Sequence, residues 1–372
     1  MQSDHDWMQQ ALSLAQKGQY TTRPNPCVGC VIVKNERVVG AGWHQQSGGQ
    51  HAEVLALADA GENAQGATVY VTLEPCAHQG RTGPCAQALI QAGVARVVVA
   101  LQDPNPRVNG TGIRQLKAAG IVVETDVCAA EAAALNPGFC TAMRQQKPYV
   151  RLKQAMSIDG RVALSNGQSQ WITGAAARLD VQYLRARSAA ILTGIATVLA
   201  DDPQLTVRVA DWPDHAQPEV EIPAPIRGIV DKDLSVPLSA QVVQTARVVP
   251  TWVFCGPHVP STQRQALEAS GVIVKVCELD ANGHVFLPMV LDWLYQHDCF
   301  DIMIESGGGL AQAAFDAGRI DEWLVYVGNK VLGACARPIL PMPEPVNLAA
   351  ALQPRLIDAI ALGDDVRLRY RV

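Results

Sequence analysis

Two series of apolar segments run along the chain, and the spacing within each series predicts strands that alternate with helices. The first series predicts, in order, a helix over Asp4–Lys17, strands over Val28–Lys34 and Arg37–Trp43, a helix over Ala52–Ala60, a strand over Ala67–Glu74, a helix over Ala86–Ala92, a strand over Val94–Leu101, a helix over Gly112–Ala119, a strand over Ile121–Thr125 and a helix from Ala129. This alternation predicts a layered α/β sheet whose central strands are mostly parallel.

The pattern restarts after a polar stretch at Arg144–Lys147, so we predict two domains, residues 1–146 and 147–372. Helices are predicted over Ala175–Arg187, Met289–His297 and Leu310–Ala317. Strands are predicted over Tyr149–Met156, Ala189–Thr193, Arg227–Asp231, Thr251–Cys255, Val272–Val276, Asp301–Glu305, Trp323–Val327 and Val366–Val372. Residues 211–225 are rich in proline and acidic groups and are predicted to form a surface loop.

The composition agrees with a folded two-domain protein of 372 residues, because 48% of the chain is hydrophobic and only 17% is charged. No apolar run approaches the roughly 20 residues that a membrane-spanning helix needs, and the first residues do not resemble a secretory signal. The ten cysteines are spread along a long chain, which is typical of reduced thiols rather than of a disulfide framework. We therefore expect a cytoplasmic protein that does not contact membranes.

The net charge of −5 does not point to a nucleic-acid partner. Residues 1–146 carry 10 basic and 11 acidic side chains, and no run of lysine or arginine occurs anywhere in the chain. Nonspecific binding to nucleic acid requires a basic surface. A small phosphorylated ligand needs only a few local cations, so we expect a small-molecule substrate.

Four residues of the first domain have the chemistry of a zinc site: His51, Glu53, Cys76 and Cys85. His51 and Cys85 each lie at the start of a predicted helix, and Cys76 follows a predicted strand. One imidazole and two thiolates suit zinc and leave a fourth position open for water. Glu53, beside the ligands but not one of them, is a candidate proton shuttle. Zinc-dependent nucleobase deaminases have this order of residues, His-x-Glu followed by Pro-Cys-x-x-Cys, although here eight residues separate the cysteines.

Other interpretations of these residues are open. A purely structural zinc would need a fourth protein ligand, which His44 or His78 would supply, but Glu53 would then have no role. Cys27 and Cys30 form a CxxC pair, yet Cys30 falls within an apolar strand, so we interpret this pair as packing.

Longer motifs resemble the bifunctional deaminase/reductase family of riboflavin biosynthesis. The motifs that carry the resemblance are Pro24-Asn25-Pro26, Val28-Gly29-Cys30, Gly42-Trp43-His44, His51-Ala52-Glu53-Val54, Thr72-Leu73-Glu74-Pro75-Cys76, Gly80-Arg81-Thr82, Gln102-Asp103-Pro104-Asn105-Pro106, Ser169-Gln170-Trp171-Ile172-Thr173, Asp201-Asp202-Pro203, Leu205-Thr206-Val207-Arg208 and Glu305-Ser306-Gly307-Gly308. They cover nearly the whole chain, and the long loop between the two cysteines is itself a feature of that family.

The resemblance implies a cytidine-deaminase-like α/β/α domain followed by an α/β domain similar to dihydrofolate reductase. The first domain would remove the 2-amino group of 2,5-diamino-6-ribosylamino-4(3H)-pyrimidinone 5′-phosphate, with one Zn²⁺ on His51, Cys76 and Cys85 and with Glu53 as the catalytic residue. Asn25 would bind the substrate, and Arg81 is the cation expected near its phosphate unless it is only a solvated loop charge. The second domain would use NADPH to reduce the ribosyl side chain to ribityl.

For the second domain the resemblance implies two sets of contacts. The substrate would contact Ser169, Arg185, Leu205, Arg208 and Glu305. NADPH would contact Ala155, Trp171, Thr197, Asp201, Gly307, Gly308, Gly309, Leu310, Ala311, Gln312 and Ala313. A triple glycine between a strand and a helix suits an anion at the helix start, although by itself it also fits a plain turn. We further expect Lys232, just past a predicted strand, to reach the 2′-phosphate of NADPH.

Several individual roles stay open. Arg185 suits phosphate binding but also fits the polar face of its helix. Trp171 fits stacking on the cofactor or simple packing, and Asp201 is a weak candidate for the proton donor of the reduction. The family often self-associates, whereas the sequence itself does not reveal the oligomeric state. The alternative functions are a free-standing nucleobase or tRNA deaminase with an unrelated second domain, and a zinc-stabilised binding module without catalysis.

Overall fold

The computed structural model describes residues 2–77, 83–106 and 108–372, and these residues form two units. The first unit comprises residues 1–146 together with 218–223, and the second comprises residues 147–217 and 224–372. The short excursion 218–223 belongs to the proline-rich segment for which the sequence predicts a surface loop. Each unit contains its own sheet and its own hydrophobic cores.

The first unit is built on a five-stranded sheet in the order β2-β1-β3-β4-β5. Its strands are β1 (Gly29–Lys34), β2 (Arg37–Trp43), β3 (Thr68–Val71), β4 (Arg96–Val99) and β5 (Val122–Thr125). Its helices are α1 (Asp4–Gln16), α2 (Ala52–Ala60), α3 (Cys85–Gln91), α4 (Thr111–Ala118), α5 (Ala129–Leu135) and α6 (Pro137–Gln145). β1 is antiparallel to β2 and β3, whereas β3, β4 and β5 are parallel.

Alternate residues of β1 point to opposite faces of this sheet, as the two-residue repeat of a strand requires. Cys30 and Ile32 pack into the core that also holds the buried side chains of α2, α3 and α4. Val31 and Val33 pack on the other side, where α1, α5 and α6 contribute. The unit is therefore a three-layer α/β/α arrangement, and α2 and α3 lie on the same face.

The second unit contains a nine-stranded sheet in the order β11-β10-β9-β8-β12-β6-β13-β16-β15. Its strands, with the separate pair β7 and β14, are β6 (Tyr149–Ser157), β7 (Arg161–Ala163), β8 (Ala190–Gly194), β9 (Ile226–Val230), β10 (Thr251–Cys255), β11 (Ile273–Val276), β12 (Asp301–Glu305), β13 (Glu322–Gly328), β14 (Arg337–Pro338), β15 (Arg355–Leu362) and β16 (Asp365–Arg371). Its helices are α7 (Ala175–Arg187), α8 (Ile195–Asp201), α9 (Gln241–Gln244), α10 (Ser261–Ala269), α11 (Leu287–Gln296) and α12 (Gly308–Asp316).

Seven neighbouring strands of this sheet, β11 through β13, are parallel, and β16 and β15 add an antiparallel edge. Helices cover both faces, with α7 and α10 over one core and α11 and α12 over the other. Because the seven strands run in one direction, their carboxyl ends share one edge. In open parallel sheets that edge is where ligands bind.

The sequence pattern missed six elements of the second unit: α8, α9, α10, β7, β14 and β15. In α8 and α10 only Val198 and Leu267 are fully buried, so neither shows an apolar repeat, and α9 and β7 have only four and three residues. Strand β15 lies at the edge of the sheet and is exposed along most of its length, and β14 has only two residues. Elsewhere, the predicted strands and helices correspond to observed ones with ends that differ by a few residues.

The closest approach between α1 and β1 depends on Gly29. A Cβ atom at this position would lie 2.0 Å from the carbonyl oxygen of Ala11 and 2.6 Å from the backbone nitrogen of Ala15. Gly29→Ala therefore forces α1 away from the sheet, and we expect the free energy of opening of β1 to fall by ~1–3 kcal/mol.

Hydrogen–deuterium exchange of the β1 peptide measures this change. Gly194→Ala is the matched control, because a Cβ there would have its nearest neighbour at 3.9 Å, an ordinary contact. Unchanged protection of β1 in Gly29→Ala would contradict this account of the packing.

Candidate metal centre and cofactor site

His51, Cys76 and Cys85 converge at one end of the first sheet. His51 is the residue immediately before α2, Cys85 is the first residue of α3, and Cys76 lies in the loop that follows β3. The Nδ1 atom of His51 is 3.2 Å from Cys85 Sγ and 3.6 Å from Cys76 Sγ. Two helix starts and one strand exit thus bring together side chains that are far apart in sequence.

The three side chains have the donor atoms and the spacing of a zinc site. Their ligand atoms all lie within 4.8 Å of one another. Tetrahedral zinc, with bonds of about 2.0–2.1 Å to nitrogen and about 2.3 Å to sulfur, places such atoms about 3.6 Å apart. One nitrogen and two sulfur donors therefore fit the ion with no large movement and leave one position for a non-protein ligand.

The charge distribution at the cysteines favours a thiolate. The hydrogen bond from Cys85 lowers the pKa of Cys76 to about 4, with further help from His51 and from the Cys85 backbone N–H. The same proximity to Cys76 raises the pKa of Cys85. The hydrogen bond to Cys76 also raises the pKa of His51. A thiolate at Cys76 is the form that binds a metal.

Glu53 lies in the first turn of α2 and is buried, with 3% of its surface exposed. Burial raises the pKa of its carboxyl to about 7, against the opposing effect of a hydrogen bond from its own backbone N–H. A carboxyl group with a pKa near neutrality can both accept and return a proton at pH 7.

His44 and Asn25 form a polar pair beside this cluster. The Nδ1 atom of His44 is 2.9 Å from the Gln50 carbonyl oxygen, and its Nε2 is 3.4 Å from Asn25 Nδ2. Both ring nitrogens of His44 thus face other partners, and His44 is not a member of the ligand cluster. His78 and Arg81 lie outside the described residues.

Two other groups of metal-binding residue types need comment. Cys30 is fully buried in β1 and Cys27 is buried before it, and neither belongs to a metal-binding group in the described part of the chain. His5, Cys128 and Glu131 also have ligand atoms within 4.8 Å of one another, but His5 and Glu131 are exposed. Of the metal-binding groups found among the described residues, only the His51 cluster is largely buried and has a neighbouring carboxyl group that is not a ligand.

In the second unit, predicted site residues lie where parallel strands end. Thr197 follows β8 in α8, Lys232 comes two residues after β9, and Glu305 ends β12. Ala155 lies near the carboxyl end of β6. These four positions therefore share one edge of the nine-stranded sheet.

The segment after β12 has the features of an anion-binding helix start. Gly307 is the N-cap of α12 and has no side chain to cap the helix. A Cβ atom at Gly307 or Gly309 would meet no atom within 4 Å among the residues described. Ser306 Oγ and Gln312 Oε1 are buried without a hydrogen-bond partner within that same set of residues. Free backbone N–H groups and the Ser306 hydroxyl, which can donate a hydrogen bond, fit a nucleotide phosphate.

Residues Gly308–Ala313 form the first turns of α12, of which Ala311 is fully buried. Gln312 Nε2 donates to Asp316 2.7 Å away, and Leu310 and Ala313 pack against the core on this face. The predicted contact segment is thus the start of one helix, within which the Ala311 side chain has no exposed surface.

The structure pairs Arg185 with Glu305. Arg185 Nε and one of its terminal nitrogens donate to the two carboxylate oxygens of Glu305 at 2.6 and 3.0 Å, and a third nitrogen donates to the Thr206 carbonyl. All three nitrogens of the Arg185 guanidinium therefore already donate hydrogen bonds within the protein. This argues against Arg185 as the main ligand of the substrate phosphate. Arg208 is half-exposed, and its only side-chain partner in the described structure is the exposed Asp211.

The remaining predicted contacts lie in loops beside this edge. Trp171 is 59% exposed, and the Arg178 guanidinium stacks on its ring at 4.8 Å. Asp201, near the end of α8, accepts a hydrogen bond from Gln170. Ser169 lies in the same loop as Trp171, and Leu205 is buried with a positive φ of 51°.

Comparison with known proteins decides between the alternative functions. Residues 1–101 match the model of the cytidine and deoxycytidylate deaminase zinc-binding region, and residues 148–368 match the model of the RibD C-terminal domain. The chain is 45% identical over 368 residues to the riboflavin biosynthesis protein RibD of Escherichia coli strain K12, covering 98% of each chain. The chain belongs to the RibD family.

Other relatives give the same result. The RibD protein of Haemophilus influenzae is 42% identical over 98% of this chain and 96% of its own. A solved structure of Acinetobacter baumannii RibD is 46% identical, with a TM-score of 0.88 over 99% of this chain and 98% of its own. A structure from Thermotoga maritima, described as a diaminohydroxyphosphoribosylaminopyrimidine deaminase/5-amino-6-(5-phosphoribosylamino)uracil reductase, has a TM-score of 0.84 at 28% identity, over 99% of this chain and 98% of its own.

Membership of the RibD family confirms the predicted family, the two α/β regions and the bifunctional enzyme class. The chain is a zinc-dependent deaminase and an NADPH-dependent reductase of riboflavin biosynthesis. The interpretation as a deaminase with an unrelated second domain is wrong, because the second region matches a RibD domain over most of its length. No helix among the described residues has the length and apolarity to cross a membrane.

The sequence does not indicate the contacts of Glu74, the residue two positions before Cys76. Glu74 is 3% exposed and accepts hydrogen bonds from four backbone N–H groups. Its partners lie 29 to 39 residues away in sequence, so no local pattern indicates them.

The zinc content of cysteine variants tests the assignment of the metal centre. We expect Cys85→Ala to lower bound zinc from about one ion per chain to near zero, because a site with two protein ligands holds zinc weakly. Cys128→Ala and Cys140→Ala are the controls, one in the exposed group and one buried at 5% exposure. Loss of zinc in Cys128→Ala together with its retention in Cys85→Ala would show that the ion binds to His5, Cys128 and Glu131, and would contradict the assignment to the His51 cluster.

Proposed function

We propose that this chain hydrolytically deaminates 2,5-diamino-6-ribosylamino-4(3H)-pyrimidinone 5′-phosphate in residues 1–146. Residues 147–372 then reduce the ribosyl group of the product to ribityl, giving 5-amino-6-ribitylamino-uracil 5′-phosphate. The observation that carries the deaminase half is the meeting of one imidazole and two thiols beside the buried carboxyl of Glu53. The Thermotoga maritima relative is described as having the same two activities.

In the deaminase site, His51, Cys76 and Cys85 hold the metal and Asn25 binds the substrate. Asn25 is suited to this role because its amide is the polar group next to His44 at the edge of the cluster. Arg81 remains our candidate for the substrate phosphate on the strength of its motif alone.

A zinc ion, when bound, activates water for attack at the ring carbon that carries the 2-amino group. Glu53 moves the protons one at a time: its carboxylate oxygen takes one from the attacking water and gives it to the ring nitrogen, then takes the second from the added hydroxyl group and gives it to the departing amine. The products are the ring carbonyl and ammonia. Burial of Glu53 supports this role, because a carboxyl group that is shielded from solvent exchanges its proton with the substrate rather than with bulk water.

Replacing Glu53 by glutamine separates proton transfer from metal binding. Glu53→Gln keeps the size of the side chain and all three ligands, so we expect normal zinc content. The amide neither accepts nor returns a proton, so we expect ammonia release to fall by about 10²- to 10⁴-fold. Wild-type rates of ammonia release from zinc-loaded Glu53→Gln would show that another group moves the protons.

In the reductase site, the cofactor lies along the carboxyl edge of the parallel sheet. The start of α12 at Gly307–Gly309 would hold a phosphate group, and Leu310, Ala311, Gln312 and Ala313 follow in the first turns of the same helix. Ala155, Trp171, Thr197 and Asp201 complete the cofactor site. NADPH, when bound, donates a hydride to C1′ of the opened sugar. The protein's part is to hold the two carbons close together and to exclude water.

The substrate of the reduction contacts Ser169, Leu205, Arg208 and the Arg185–Glu305 pair. Arg208 is best placed among these for the phosphate, because its guanidinium is half-exposed and is paired only with the exposed Asp211. Arg185 holds the carboxylate of Glu305 with two hydrogen bonds, so its contribution is to orient Glu305 toward the substrate.

Lys232 is our candidate for selecting NADPH over NADH. It is half-exposed after β9, and the nearest carboxylate oxygen, on Asp233, is 3.7 Å away. The ammonium group is therefore weakly paired and available to the 2′-phosphate. Lys232→Ala should lower the preference for NADPH over NADH, expressed as the ratio of kcat/KM, by about tenfold or more.

The control for this prediction is Lys117→Ala, which removes a lysine from α4 of the first unit. An unchanged ratio in Lys232→Ala would assign the discrimination to another residue.

We also propose a cytoplasmic location and a small-molecule substrate, with no nucleic-acid or membrane partner. No disulfide joins any of the ten cysteines, which is typical of a reducing compartment. Self-association stays a prediction from the family.

One assay tests the proposed function as a whole. The purified protein is incubated with the diaminopyrimidinone phosphate, first without and then with NADPH. We expect ammonia release in the first step and NADPH oxidation only after that release. The absence of both activities would favour a zinc-stabilised binding module.

A further inference from the structure

Glu74 connects the metal-binding loop to a distant part of the first unit. Its Oε2 accepts hydrogen bonds from the backbone N–H groups of Asp103 at 3.2 Å and Gly110 at 2.9 Å. Its Oε1 accepts from Gly112 at 2.9 Å and Ile113 at 3.2 Å. Both oxygens of one buried carboxylate are thus filled by backbone donors.

Three of these donors belong to the start of α4. The N-cap of this helix, Gly110, has no side chain and provides no cap of its own. The first N–H groups of a helix lack partners within the helix, and the helix dipole there favours a negative charge. Glu74 therefore caps α4 from outside, across 36 residues of sequence.

A second contact, also with the start of α4, holds the same loop. A Cβ atom at Gly112 would lie 1.9 Å from the carbonyl oxygen of Pro75, so the first turn of α4 rests directly on the Pro75–Cys76 peptide. The ring of Pro75 restricts its own φ. The peptide that carries Cys76 is thus fixed by the carboxylate of the preceding residue and by the close approach of Gly112.

We propose that Glu74 is a positioning residue of the metal centre, whose carboxylate fixes the Pro75–Cys76 peptide on α4 and so directs Cys76 Sγ toward His51 and Cys85. Further backbone hydrogen bonds fix the chain just before Cys76 and at Cys76 itself. The Glu74 N–H donates to the Leu101 carbonyl at 2.9 Å, and the Cys76 carbonyl accepts from Ala86 at 3.1 Å. The Cys85 N–H donates to Cys76 Sγ at 3.4 Å.

The glutamine variant disrupts this arrangement without changing the size of the side chain. In Glu74→Gln, the amide group presents N–H bonds to two backbone donors and loses the negative charge that favours the helix start. Partners beyond the metal ligands typically contribute 10- to 100-fold to metal affinity. We therefore expect the affinity for Zn²⁺ to fall by about 10- to 100-fold, with Glu74→Asp, which keeps the charge, between Glu74→Gln and the wild type.

The test measures the metal and not the reaction. Co²⁺ titration of the metal-free full chain reports the thiolate-to-metal absorption and the ligand-field bands, and competition with a chelator gives the Zn²⁺ affinity. We expect Glu74→Gln to show weaker binding and altered ligand-field bands at saturating Co²⁺. Asp4→Asn is the matched control, because Asp4 is a carboxylate of the same unit whose partners are Tyr70 and Arg96. It should leave the cobalt spectrum unchanged.

The outcomes separate this proposal from the proposed function on which it rests. A wild-type chain that binds no Co²⁺ through thiolates would refute the metal centre itself. Wild-type affinity and spectrum in a folded Glu74→Gln would overturn the positioning role while leaving the metal centre intact. Failure of both Glu74 variants to fold, with Asp4→Asn folded, would assign the carboxylate to the fold of the unit as a whole and would also overturn it.

Discussion

The convergence of three soft donor atoms at one end of a five-stranded sheet is the constraint on which the first unit depends. His51 and Cys85 stand at the starts of two helices on the same face of the sheet, and Cys76 stands on the loop leaving β3. The positions of His51 and Cys85 are thus fixed by regular elements, whereas Cys76 lies in the loop between a strand and a helix. Such support is what keeps a site near its working geometry before the metal arrives.

The residues around the ligands divide the work. Glu53 lies two residues after His51, in the first turn of α2, so the proton-transfer group and one ligand are held by the same helix start. Glu74 and Gly112 fix the peptide before Cys76 on the first turn of α4. The second unit has a comparable arrangement, because Glu305 ends a central strand and accepts hydrogen bonds from Arg185 of α7, which hold its carboxylate in place. In both units the charged groups rest on the ends of strands and helices, which are rigid.

The sequence predicts the metal ligands better than it predicts the residues that position the ligands and the other site residues. His51, Cys76 and Cys85 are recognisable because they occur near the ends of predicted elements in a fixed order, and because the strands around them alternate with helices. Glu74 carries no such signal, since its role depends on backbone groups of residues 103–113 that only the fold brings near. The pairing of Arg185 with Glu305 joins residues 120 positions apart and is equally invisible to local patterns. Strand β15 was missed because an exposed edge strand has no buried face to mark it.

X-ray absorption at the zinc edge of the loaded full chain tests the central claim most directly, because it counts sulfur neighbours of the ion without relying on activity. The account predicts two sulfur atoms at about 2.3 Å and two lighter atoms at about 2.0–2.1 Å, from His51 and one non-protein ligand. A coordination shell without sulfur, or one with three or four sulfur atoms, would contradict it.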